Sequence, residues 1–287
     1  QFGDYALPSD WSLNHSFFGK SDTSLKQKLH GNASRVPSNK HYVALVVSDG
    51  DNIQWLERDF AVTSSYGQRL ETDCSYKMSW TFSPSLVSVC PAGAKYIVDR
   101  AKEDYFISGV SGIGYANCLS YPRKYLDEFA MQTAIAMAKS DLSVLCMLDN
   151  VAETADEKSV VDRLHCFTKF DTIKGGIWEL DPDRYGSGQG KVWWSDGKPF
   201  VSVRFTLWYP TCNMADGTTD WLDEIAAKVN SMPIAPSSEC GYSVVNVHPW
   251  TMNQQSVDYF VSKLDKSKVE LVYADELIEL MKKNVRR

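Results

Sequence analysis

Apolar runs at 42–48, 77–82, 105–110, 142–148, 174–180, 199–207, 242–247 and 269–273 alternate with amphipathic stretches from His41 onward. This order predicts a parallel sheet with helical crossovers, so the expected fold class is α/β. Seven or eight such units closing on themselves would make a β/α (TIM-like) barrel, and a length of 287 residues fits one such barrel. An open doubly wound sheet is the alternative, because alternation does not reveal closure. Between the runs, Trp221, Leu222, Ile225, Ala226 and Val229 recur at helical spacing, with Asp220 placed to cap the start. A longer helix is expected over 125–139. Tyr259, Phe260 and Leu264 mark another, and Leu277, Ile278 and Met281 the last. Residues 1–40 are polar and contain Pro8 and Pro37, which suggests an N-terminal arm or linker ahead of a barrel domain at 41–287.

The first run carries the most chemical information. Residues 41–52 read HYVALVVSDGDN: an apolar strand that ends in Asp49 and Asp51 with only Gly50 between them. Ligands gather at the carboxyl ends of strands in α/β folds, so acids there are first candidates for chemistry. If the segment stays extended, positions i and i+2 point the same way. Two carboxylates in one small volume resist joint ionisation, so one of them should hold its proton more tightly. A purely structural alternative is an Asx-turn in which Asp49 and Asn52 bond local backbone.

Charge and composition narrow the partners. A net charge of −6 leaves no basic footprint for nucleic acid. No apolar run reaches membrane-spanning length. The chain starts at Gln1 rather than Met, so a preceding segment is expected to have been removed or to lie outside this sequence. Sequons at Asn14 and Asn32 suggest a secreted or extracellular glycoprotein. Of the seven cysteines, Cys146 lies in an apolar run and should be a buried free thiol, while Cys90 and Cys118 follow strand ends and are the candidate disulfide. No CxxC or Cys/His spacing suggests zinc. The glycine-rich stretch 185–190 reads as a surface loop, not a phosphate cradle.

In a barrel, the strand ends would present Asp49, Asp51 and Asn52, then Ser83, then Ser111 to Tyr115, then Asp149, then Glu179 and Asp181. Arg204, Trp208, His248, Trp250, Asp275 and Glu276 complete the rim. Acids interleaved with aromatic rings suit sugars, whose apolar C–H faces pack on rings while hydroxyls bond acids and amides. Asp275 also reads as a helix cap, Asp181 before Pro182 as a turn former, and Trp208 and Trp250 as mouth fillers. Asp49, Asp51, Tyr115, Asp149, Glu179 and His248 are the functional candidates that best survive these structural readings.

Ser48-Asp49-Gly50-Asp51-Asn52, Ser83-Pro84, Ser111-Gly112-Ile113-Gly114-Tyr115 and the closing VELVYADEL from Val269 resemble the barrel domain of the GxGYxYP proteins, a family associated with glycoside hydrolysis and polysaccharide breakdown. The resemblance runs from about His41 to the C-terminus. It implies a seven-stranded β/α barrel with a functional cleft against a preceding domain, and it makes Asp49 and Asp51 the catalytic carboxylates. The naming motif departs from its pattern, since Ala116 to Ser120 separate Tyr115 from Tyr121-Pro122. The family's preceding domain is thought to add a third acid, and a 40-residue leader is too short to be that domain. The expected partners are therefore a carbohydrate substrate and a preceding domain or partner chain that completes the cleft.

Two acids leaving one strand tip in one direction cannot flank a sugar. They suit a single task, holding and deprotonating a water, which points to an inverting glycosidase with base and acid roughly 6.5–9.5 Å apart. Glu179 is the first in-chain candidate for the acid and Asp149 the second. Asn52, Tyr115, Trp208, His248 and Trp250 are the candidate substrate contacts. No cofactor is expected. A divalent cation at Asp49 and Asp51 is the open alternative, tied to a metal-dependent carbohydrate deacetylase or esterase with His248. The five histidines (15, 30, 41, 165, 248) contain no pair four apart that would complete a zinc site. A further alternative is a non-catalytic secreted carbohydrate-binding or assembly protein that keeps the acids as relics.

Overall fold

A computed structural model describes residues 24–32, 35–150, 156–181, 183–208 and 220–286. The first half of the domain runs β1 (His41–Val47), α1 (Ile53–Arg58), α2 (Ser65–Glu71), β2 (Met78–Phe82), α3 (Leu86–Val89), α4 (Pro91–Asp99), β3 (Asp104–Ser108), α5 (Arg123–Lys139) and β4 (Val144–Asp149). The second half runs α6 (Glu157–Thr168), β5 (Gly175–Leu180), β6 (Val192–Ser195), β7 (Lys198–Ser202), β8 (Phe205–Leu207), α7 (Asp220–Asn230), β9 (Tyr242–Val247), α8 (Gln254–Ser262), β10 (Val269–Leu271) and α9 (Ala274–Asn284). The expected alternation is present, and every strand pair is parallel except the β6–β7 hairpin.

Both faces of the sheet are buried, as its uniformly apolar strands require. In β1, Val43, Leu45 and Val47 join an outer core roofed by Leu56, Leu70, Ile97, Leu126, Leu164, Leu222 and Phe260 from the helices. Tyr42, Ala44 and Val46 point the other way. They meet Ile107, Cys146, Ile177, Val201 and Val244 from β3, β4, β5, β7 and β9 in an inner core. Leu277, Ile278, Leu280 and Met281 of α9 plug that inner core.

The expected closed ring of seven or eight strands is not what forms. The ten strands pair in the order β6-β7-β5-β4-β3-β2-β1-β9-β8, with β10 added to β1. The interruption falls inside the 199–207 run, which reads as one strand but makes two. Lys198–Ser202 pairs with β5, while Phe205–Leu207 pairs with β9. Between them, the Val203 amide donates to the Trp178 carbonyl and the Arg204 amide to that of Val244, so the chain hands over from one neighbour to the next. The hairpin strand β6 occupies the edge of β7 that a closed ladder would need.

Part of the polar leader is built into the domain. Strands β3 and β4 pair only at Ser108 and Leu145, which leaves the first half of β3 without that neighbour. The Gln27 side chain fills the gap: its Oε1 accepts from the Phe106 amide at 2.7 Å and its Nε2 donates to the Phe106 carbonyl at 3.0 Å. Leu25 is buried beside it and its amide donates to the Lys139 carbonyl at 2.8 Å. Replacing Gln27 by Ala strands two buried backbone groups, so Gln27→Ala is expected to lower stability by about 2 kcal/mol in urea unfolding. A loss below ~0.5 kcal/mol, the scatter of ordinary surface changes, would show that the gap is satisfied in another way.

The proposed Cys90–Cys118 disulfide is absent, and both thiols are free. The Cys118 side chain is enclosed in the outer core near Asp149 and Arg163, whereas Cys90 sits at the α3–α4 joint with its sulfur against Gly93. Cys146 is a buried free thiol, as its apolar run implies. The sequon residue Asn32 is exposed, and Asn14 lies outside the described residues. No described helix is long and apolar enough to cross a membrane.

Candidate active site

Strand β1 stops at Val47, and the next five residues form a turn instead of continuing extended. Asp49 has φ of 66°, a left-handed conformation uncommon outside glycine, and the Asn52 amide closes onto the Asp49 carbonyl at 3.1 Å. The i, i+2 geometry expected of an extended pair is therefore replaced by a tight turn. Asn52 takes the local role weighed for it, since its Oδ1 accepts from the Trp55 amide at 3.0 Å and caps α1. Asp49 does not follow. Its Oδ2 accepts from Ser48 Oγ at 2.6 Å and lies 3.7 Å from His248 Nε2, with 22% of the side chain still open to solvent.

Asp51 shares the hollow. Burial, reinforced by the charge of Asp49, pushes its carboxyl up to about 6. Among the described residues neither aspartate is paired with arginine or lysine. The turn is fixed from beneath by the sheet. The Gly50 amide donates to Thr81 Oγ1 at 2.8 Å, and that hydroxyl donates to the Val47 carbonyl at 2.7 Å. A methyl group on Gly50 would stand 1.9 Å from the Thr81 carbonyl oxygen, so only glycine fits here.

Glu179 lies in the floor beneath the pair. It is 1% exposed, and its Oε1 accepts from Asn246 Nδ2 at 3.0 Å. Burial first, then the charges of Asp49 and Asp51, push its carboxyl well above the usual carboxylate range. It is sealed from solvent, where a glycosidic oxygen cannot reach it. Asp149 faces the opposite side of the sheet, where it accepts from the Leu119 amide at 2.8 Å and from Trp178 Nε1 at 3.1 Å in the outer core. Burial raises it to about 7. The structure thus places Glu179 with the aspartate pair but under it, and it does not bring Asp149 to the site.

Aromatic residues ring the mouth. Tyr115 is 65% exposed, and its phenol is held protonated by partial burial and then by the negative charges of Asp51 and Asp181. His248 stacks flat on Trp208, with ring centroids 3.7 Å apart and planes at 8°, and its Nδ1 meets Thr251 Oγ1 at 3.1 Å. Burial lowers the proton affinity of this imidazole, against the pull of Asp49. Trp250 is 52% exposed and rests on Trp55 at 4.9 Å. Tyr121 is not at the mouth; it packs on Phe129 at 5.1 Å against the outer core. Asp275 is at the other end of the sheet, where its carboxylate accepts from the Gly31 amide at 3.0 and 3.2 Å. This follows from the register, because β10 pairs with the first half of β1, not the last.

Three residues of the site had not been singled out from sequence. Tyr185, placed above in a surface loop, lies 5.0 Å from Trp208, and its phenol is pushed up by burial and then by the charge of Asp49. Thr81 and Asn246 are the others. A lone polar residue inside the apolar strand YSVVNV was the available signal for Asn246; nothing local marked the other two. Among the described residues no three His, Cys, Asp or Glu side chains converge as a metal-holding group.

A parallel α/β domain with two carboxylates at a strand end beneath aromatic rings belongs to the α/β architectures that carry their functional groups on strand-end loops. The chain belongs to the GxGYxYP family: residues 39–282 match the GxGYxYP putative glycoside hydrolase C-terminal domain. It is similar to a crystal structure described as a putative hydrolase from Bacteroides thetaiotaomicron, with 28% identity and a TM-score of 0.75. That match covers 92% of this chain and 49% of the other, so this chain spans about half of that relative's length. A structure described as a putative polysaccharide deacetylase from Mycobacterium smegmatis is more distant, at 11% identity and a TM-score of 0.47 over 88% of this chain and 95% of that one. No curated protein matches the sequence.

Proposed function

We propose that this domain hydrolyses glycosidic bonds of an oligo- or polysaccharide with inversion, using the Asp49–Asp51 pair to activate water. The observation that carries this reading is the Asp51 carboxyl, raised to about 6 by burial beside a partly exposed Asp49, with neither acid ion-paired to arginine or lysine among the described residues. A carboxyl poised there accepts a proton efficiently near neutral pH. Both acids leave one turn, so they serve one side of the sugar. The water loses its proton to the pair as its oxygen bonds to the anomeric carbon, and the departing oxygen takes a proton from an acid on the other side. Glu179 is sealed and Asp149 faces away, so in this reading the acid is presented across the mouth by a preceding domain or partner chain. Tyr115, Tyr185, Trp208 and Trp250 supply ring faces for the sugar.

The acid limb of kcat/KM tests the base assignment. A base must be deprotonated, so kcat/KM on a soluble oligosaccharide substrate should fall as pH drops through about 6. A limb centred near 4, the ordinary carboxylate range, would remove Asp51 as the base.

The 3.7 Å approach of His248 Nε2 to Asp49 favours a second reading, carbohydrate de-esterification or deacetylation, in which the imidazole handles the proton. The two readings separate by product: released reducing ends support the first, released acetate the second.

A further inference from the structure

We infer that Thr81 is the positioning residue of the acid turn, holding Asp49 and Asp51 in place from the neighbouring strand through one hydroxyl group. The inference rests on the glycosidase reading only where it concerns rate; the positioning itself is geometric.

Strands β1 and β2 pair at Val46–Ser79 and Val47–Trp80, and there the ladder ends. Past that pair the chain turns away from β2, and the Val47 carbonyl and the Gly50 amide both come within reach of the Thr81 side chain. The Thr81 hydroxyl takes both. It gives its single proton to the Val47 carbonyl at 2.7 Å and accepts from the Gly50 amide at 2.8 Å. This use matches what a hydroxyl can offer, one proton and free lone pairs. Thr81 is buried, so water cannot take its place without opening the turn.

Two close backbone contacts lock the same point. Gly50 lies directly over the Thr81 carbonyl, and a methyl on Gly109 would come within 3.0 Å of the Gly50 carbonyl. Gly109 is itself fixed to β2, its amide donating to the Phe82 carbonyl at 2.8 Å. Gly50, next to the left-handed Asp49, is thus held between β2 and the end of β3. Strain of this kind persists only where the surroundings over-determine it. The hydroxyl is the one side-chain group in that frame, and therefore the one that substitution can remove without adding volume.

Thr81→Val keeps the shape and deletes both bonds. The titration midpoint of Asp51, followed by NMR on protein with 13C-labelled aspartate, should fall from about 6 towards ordinary carboxylate values as the turn opens to water. On the glycosidase reading kcat falls about 10–100-fold with KM within about twofold, the signature of misplaced chemistry. Thr81→Ser, which keeps the hydroxyl, should retain the wild-type midpoint and most of kcat. If Thr81→Val does not fold, Gly109→Ala pushes on the turn from the β3 side and should move the same two quantities. A folded Thr81→Val or Gly109→Ala with wild-type Asp51 midpoint overturns the assignment. Should the wild-type protein cleave no glycan, the functional reading fails alone, and the titration still decides the role of Thr81.

Discussion

Asp51→Asn should lose about 10²–10⁴-fold in kcat/KM, the span general-base catalysis supplies, while folding at least as stably as the wild type. The two halves of this expectation have one cause. In the folded protein the Asp51 carboxyl holds its proton to about 6, against an ordinary value of 3.8, because the group is largely buried and Asp49 is near. The folded state therefore binds that proton more tightly than the unfolded chain does. Stability falls as pH rises from about 4 through 6, and above 6 the full penalty of the ionised Asp51 is present. Asparagine removes the charge and with it the penalty. Thermal unfolding at pH 8 should show the variant melting at or above the wild type, and the difference should vanish at pH 4. An Asp51→Asn protein that still cleaves its substrate at wild-type rate would end the proposal. One that melts well below wild type at pH 8 would show instead that Asp51 is a structural group. Sites that strain the fold for the sake of chemistry show this exchange of stability for activity.

How much of this could be read from sequence depends on what kind of signal each feature leaves. The β9 run at 242–247 coincides with the strand, and most others agree to within one or two residues, because uniformly apolar segments bounded by polar turns leave a strong mark. The same uniformity hides the faces. In β4 the side chains of Leu145 and Met147 go outward and those of Cys146 and Leu148 inward, yet all four are apolar, so nothing local says that Asp149 falls on the outward side. Glu179, on the adjacent strand, falls inward by the same arithmetic. With both faces buried there is no alternation to read, and the two carboxylates look equivalent until the register is known. Closure was illegible for a related reason: the change of partner at Val203 and Arg204 is a matter of which neighbours the chain meets, and the run on either side is continuous. The acid turn itself was visible because two aspartates flanking a glycine are conspicuous after an apolar strand. Its hold on Thr81 was not, since that contact spans 31 positions of sequence.

Arg69→Ala should be the most destabilising single change away from the site. Arg69 is 2% exposed and lies on α2, with its guanidinium Nε paired to Asp104 Oδ1 at the start of β3. Its Nη2 donates to the carbonyls of Tyr76 at 2.7 Å and Glu103 at 3.0 Å, and the guanidinium covers the Tyr76 ring at 4.6 Å. Trp80 Nε1 donates to the same Asp104 oxygen at 2.9 Å. Burial works against the arginine's charge, and the Asp104 carboxylate more than restores it. Alanine leaves that carboxylate enclosed with only neutral partners, the Trp80 indole and a long 3.4 Å contact from the Lys102 amide, and strips two backbone carbonyls of a donor. Breaking one side of such a pair costs about 3–5 kcal/mol, a large share of a domain's net stability. Urea unfolding of Arg69→Ala should show this loss, and replacing the pair together, Arg69→Met with Asp104→Leu, should recover much of it because two apolar groups leave no charge stranded. Asp104 opens β3, whereas the acid turn meets the strand's far end, so enzyme kept cold enough to remain folded should retain its kcat. A loss under ~1 kcal/mol, the worth of an exposed ion pair, would mean that water reaches Asp104 and that this end of the sheet is more open than its packing implies.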